Sequence, residues 1–110
     1  MRPSVRISLQ AENDIRRNAL WWAENHSIDE AIHWESVVRR QLLSIADAPE
    51  SYGLSEENSF LPFEVHDSLV GTGKRGSYRA VFTFNREVVL VLRVIRASQG
   101  SLQPGDVWHL

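Results

Sequence analysis

The sequence predicts an α+β domain in which a helical hairpin packs on a small antiparallel sheet, in the order β-α-α-β-β-β. Three observations predict it. Apolar residues alternate with polar ones over Ser4 to Leu9, a half-buried strand. They recur at helical spacing from about Ala11 to Ala46. After Pro62 they return to strand-type runs broken by turn residues.

In the first strand Val5, Ile7 and Leu9 share one face. In the first helix Ile15, Ala19, Trp22 and Ala23 form the apolar stripe, and Glu12 and Asp14 occupy the first turn, where the helix dipole favours acids. This helix is expected to end near Asn25-His26. Ser27 and Glu30 then match a capping box. Ile28, Ala31, Trp34, Val38, Leu42 and Ile45 give the second helix one apolar stripe, and Ala48-Pro49 stops it. The short link makes the pair an antiparallel hairpin. Trp21, Trp22 and Trp34 are assigned to the packing of that pair.

Glu50 to Leu61 reads as irregular and acidic, with a strand from about Phe63 to Val70. Gly71-Thr72-Gly73-Lys74-Arg75-Gly76 is a turn. Tyr78 to Phe84 is a strand, and Val88 to Ile95 is apolar enough to be a central strand covered on both faces. The tail from Gly100 reads as irregular.

The chain has 110 residues, which makes residues 1–110 one domain. With 43% hydrophobic and 24% charged residues it is globular rather than disordered. No apolar run is long enough for a membrane span, and Met1-Arg2-Pro3-Ser4 has no apolar stretch that would suggest a secretory signal. The absence of cysteine excludes disulfides and thiolate zinc sites and fits a cytoplasmic protein. The four histidines have no metal-ligand spacing, and neither a phosphate loop nor a nucleophile elbow is present, so no cofactor is expected.

The formal charge of −2 hides a gradient. Ile45 to Val70 holds six acids and no Lys or Arg, whereas Gly71 to Leu110 holds six bases against Glu87 and Asp106. A basic C-terminal third concentrates phosphate affinity, or it solvates strands and turns.

If Asn85-Arg86 is a two-residue loop, Phe84 pairs with Glu87. Tyr78, Ala80, Phe82 and Phe84 then share the helix-facing side with Val89, Val91, Arg93 and Ile95. Arg79 and Arg96 share the opposite side with Val81, Thr83, Leu90, Leu92 and Val94. A one-residue register change would separate the two arginines. Together, and with Lys74 and Arg75 in the adjoining turn, they would make a phosphate-binding arrangement; alternatively they only solubilise the face or pair with acids. The apolar residues between them require a cover, either the tail with Val107 and Trp108 or a partner segment, for which an acidic or amphipathic peptide would suit. Glu64, His66 and Asp67 are the nearest candidates for proton transfer.

The element order, Pro49-Glu50-Ser51-Tyr52-Gly53 after the second helix, Leu61-Pro62-Phe63-Glu64, Tyr78-Arg79-Ala80-Val81-Phe82, and Val91-Leu92-Arg93-Val94-Ile95-Arg96-Ala97-Ser98-Gln99 together resemble the RelE/ParE superfamily of type II toxin–antitoxin toxins, closest to its plasmid-stabilisation members. The resemblance spans roughly Val5 to Leu102. It implies a growth-inhibiting toxin, neutralised by a cognate antitoxin lying over the sheet face and helical hairpin. It implies action either as a metal-independent mRNA endonuclease on the ribosome or by binding a target such as DNA gyrase; a degenerate module keeping only antitoxin binding is the alternative. By motif position Arg79 and Arg96 are the implied catalytic residues, with Lys74, Arg75 and Arg93 binding substrate. Arg96 stands where relatives commonly carry His, and an arginine donates no proton at neutral pH.

Overall fold

The computed structural model describes residues 2–73 and 76–99. The elements are β1 (Ser4–Ile7), α1 (Leu9–Asn25), α2 (Ile28–Ser44), β2 (His66–Val70), β3 (Tyr78–Phe84) and β4 (Val88–Arg96). They form one four-stranded sheet in the order β1-β4-β3-β2. The expected α+β order is therefore present, with one refinement. β1 runs parallel to β4, pairing Ser4–Ile7 with Val88–Val91, while β2, β3 and β4 form the antiparallel meander.

Ser8 fixes where strand becomes helix. Its backbone N–H donates to Val91 O, its hydroxyl donates to Leu92 O, and its side chain accepts from Ala11 N as the N-cap of α1. The helix thus begins two residues earlier than its spacing predicts, and Leu9 projects outward. Ser27 caps α2 by accepting from Glu30 N, as the capping-box pattern predicts. Ile28, placed on the α2 stripe by spacing, is 69% exposed in the first turn, whereas Ala31, Trp34, Val38, Leu42 and Ile45 are buried.

The sheet is packed on both faces. Against the helices lie Ile15, Trp34, Val38, Leu42 and Ile45 with Tyr78, Ala80, Phe82, Val89, Val91 and Val94. On the other face Val81, Leu92 and Ile95 pack with Leu61 and Val65, flanked by Phe60 and Leu90. The connection between α2 and β2, which the sequence pattern does not mark as a cover, packs on this face. That connection is ordered by 3-10 turns at Ile45–Asp47, Pro49–Ser51 and Glu56–Ser59. The tail residues considered for the cover, Val107 and Trp108, lie outside the described residues. β2 begins at His66 rather than Phe63, because the Val65 N–H is taken by Asn58 Oδ1 instead of by a neighbouring strand.

The hairpin between β3 and β4 departs from the expected register. Asn85 N donates to Val88 O, and Asn85 Oδ1 accepts from the N–H groups of Glu87 and Val88. The loop is therefore Arg86-Glu87, and Phe84 pairs with Val89. Farther along, a β-bulge between Val81 and Phe82 skips Leu92, so that Val81 pairs with Arg93 and Tyr78 with Arg96. The bulge shifts the register by one residue and reverses the facing of β4's second half. Arg96 and Val94 join the helix-facing side, and Arg79 remains on the other with Ile95 as its partner. Among the described residues no helix is long and apolar enough to cross a membrane.

Candidate functional site

The proposed pair of arginines does not share a face, and each has a different environment. Arg79 lies under the acidic connection. Its Nη1 donates to Glu57 Oε1 and Asp67 Oδ2, both at 2.8 Å, and its Nη2 donates to Glu57 Oε2 at 3.1 Å. Glu56 adds a longer ion pair at 3.8 Å. Glu57 is 0% exposed, and Ser55 donates its hydroxyl to Glu57 Oε1 from the same turn. This is a fork-on-fork pair removed from water. The Glu57 hydrogen bonds, supported by those of Asp67, hold the guanidinium more firmly protonated than an ordinary arginine, against the opposing effect of burial. Both Nη groups are committed to carboxylates.

Arg93 is committed as well. Its Nε donates to Asp14 Oδ2 at 2.7 Å and its Nη2 to Asp14 Oδ1 at 2.9 Å, while Asp14 Oδ2 also accepts from Val94 N. Asp14, read from sequence as a first-turn residue facing the dipole, is buried and fastens α1 to the bulged part of β4. Arg93, expected on the helix-facing sheet surface, pairs with Val81 in the ladder beyond the bulge and gives its guanidinium to this α1 carboxylate. Lys74 and Arg75 lie outside the described residues.

Arg96 occupies a different setting. Its guanidinium carbon sits 4.2 Å over the Trp21 ring. It lines a cavity of about 180 Å³ together with Trp21, Trp22, Ser77, Tyr78 and Ser98. Trp22 Nε1 donates to Tyr78 Oη at 3.1 Å, which fixes one wall of this cavity. Trp22 also packs against His26, with ring centroids 4.7 Å apart.

The proton-transfer candidates are divided by the sheet. Asp67 reaches Arg79, but His66 pairs with Phe82 on the helix-facing side. His66 is buried, and its Nδ1 lies 2.8 Å from Tyr52 O, so that nitrogen carries the proton and donates. Its Nε2 is 3.9 Å from a largely exposed Glu64 carboxylate. Among the described residues no group of three or more His, Asp or Glu is arranged to hold a metal.

Sequence reasoning missed Glu57 as the partner of Arg79 and Trp21 as the platform of Arg96. Glu57 stands in a polar run, Ser55-Glu56-Glu57-Asn58-Ser59, with nothing to mark one carboxylate as buried.

Comparison with solved structures places this geometry in a known fold. The chain is similar to a structure described as the chromosomal ParDE TA system from P. aeruginosa, with a TM-score of 0.69 over 86% of this chain and 95% of that one, at 16% sequence identity. The fold is RelE/ParE-like. No family model matches the sequence, and no curated protein matches it. In this RelE/ParE-like fold the implied sheet arginine, Arg79, is held by the chain's own acids, and the implied last-strand residue, Arg96, lines the aromatic cavity.

Proposed function

We propose that this chain is the toxin of a type II toxin–antitoxin pair, that a cognate antitoxin neutralises it, and that it slows growth in the cytoplasm by binding a protein target, with DNA gyrase the first to test. The RelE/ParE-like fold supports the toxin reading. The state of Arg79 carries the choice of protein binding over RNA cleavage. A phosphate-stabilising arginine must offer its donors to the charge that develops during the reaction. Here those donors are bound to Glu57 and Asp67 inside the protein. Cleavage at this residue would require a phosphate to displace two carboxylates, one of them fully buried, at a cost of several kcal/mol.

The exposed apolar side chains of the hairpin, Leu20, Ile28, Ile32 and Leu43, support a protein partner on that surface. Induced expression of the chain alone, and together with the protein encoded beside it, tests the reading. Growth arrest that the neighbour relieves, with loss of supercoiling when the purified chain is added to gyrase, is the expected result. Harmless expression of the chain alone would leave only an antitoxin-binding module.

A further inference from the structure

The last residue of β4 stands at the junction of two cavities. The first is the aromatic cavity of about 180 Å³ described above. The second, about 140 Å³, is lined by Arg17, Asn18, Arg93 and Asp14 as well as by Arg96. The acid and two of the three arginines of this region are related by ion pairing. Asp14 is buried and taken by Arg93 and by the Val94 N–H, and Arg17 approaches it only at 3.9 Å from a largely exposed position. Among the described residues Arg96 has no carboxylate within ion-pair distance. Its guanidinium lies over Trp21. A guanidinium held over a ring face still offers the N–H donors in its own plane to a carboxylate or phosphate edge-on.

The aromatic walls decide between ligand classes. A nucleotide would require an open ring for its base. Trp21 already carries Arg96, Trp22 packs against His26, and Tyr78 is buried against Trp34. The cavity therefore suits a small anionic group with an aliphatic stem. Its neighbour supplies a second position. Arg17 and Asn18 precede Trp21 and Trp22 by four residues on α1, a rise of about 6 Å. Alternate residues of an extended chain are about 6.6 Å apart and project to the same side.

We propose that Arg96 and Arg17 form a two-point carboxylate-recognition site for an extended protein segment that carries acidic residues at alternate positions. One carboxylate enters the aromatic cavity and is held edge-on by Arg96, with Ser77 and Ser98 at its walls. The next meets Arg17 and Asn18. This site does not depend on the toxin reading, because it follows from the charge and shape of the surface.

Fluorescence polarisation of the labelled peptide Ac-Leu-Glu-Val-Glu-Leu-amide with the purified full chain tests it. The peptide binds, its double-Gln version binds about tenfold or more weakly, and rising salt weakens the interaction. Arg96→Gln lowers affinity about tenfold, while Arg96→Lys restores only part of it because one ammonium cannot hold both carboxylate oxygens. Arg17→Gln, on the exposed helix surface, lowers affinity without affecting the fold and so serves if Arg96→Gln unfolds. Absence of binding, equal binding by the double-Gln peptide, equal binding by Arg17→Gln, or equal binding when the two Glu are made adjacent would each overturn the proposal. So would displacement of the peptide by inorganic phosphate or adenosine monophosphate at lower concentration than the peptide itself, which would mark a small-anion or nucleotide site.

Discussion

Arg79 is where charge and fold are most tightly joined. Removing its side chain leaves Glu57 buried without its principal partner, and breaking a buried pair in this way costs about 3–5 kcal/mol. Arg79→Ala is accordingly expected to lower the denaturant midpoint strongly, and an unchanged midpoint would show that the pair does not hold the connection to the sheet. Glu12 makes a milder case. Arg39 donates to both of its carboxylate oxygens, at 3.0 and 2.8 Å, and these hydrogen bonds hold Glu12 below its ordinary value of 4.5. A carboxyl group with a lowered folded-state pKa contributes stability above its unfolded value and loses it as pH falls through the folded one. The difference in unfolding free energy between the native chain and Glu12→Gln is therefore expected to be full at neutral pH and to shrink below about pH 4.5. A difference that stays constant from pH 7 to pH 3 would contradict it.

The turns and the bulge set how the elements meet. Gly76 has φ +66°, and a Cβ added there would lie 2.7 Å from Val70 O. Gly76→Ala is expected to destabilise the β2–β3 hairpin by about 1–3 kcal/mol, measured by thermal or denaturant unfolding. The existence and order of the elements were readable from local signals, because the alternation in β1, the apolar stripe of α2 and the aromatic and branched residues of β3 lie between turn residues. The starts of α1 and β2 were not, because Ser8 and Asn58 set them by side-chain hydrogen bonds to backbone N–H groups. The facing of Arg96 was not readable either. A bulge is one extra residue, and nothing about Leu92 within an apolar run marks it as the residue the ladder skips. The parallel pairing of β1 with β4 joins residues more than eighty positions apart, beyond any local signal.

For the molecule as a whole, the sheet's two faces divide the basic residues that the sequence groups together. One face buries Arg79 under the acidic connection, and the other places Arg96 beside α1 at a cavity of about 180 Å³. The charge gradient along the chain is in part an internal pairing: Glu57 and Asp67 come from the acid-only stretch and Arg79 from the basic one. Under the proposed function the chain arrests growth by occupying a protein, while Arg79 serves the fold. Mapping the ends of ribosome-bound mRNA in cells arrested by the chain tests this claim most directly. Arrest with mRNA ends unchanged from uninduced cells is expected. New cuts at fixed codon positions that disappear in a folded Arg79→Lys variant would contradict it.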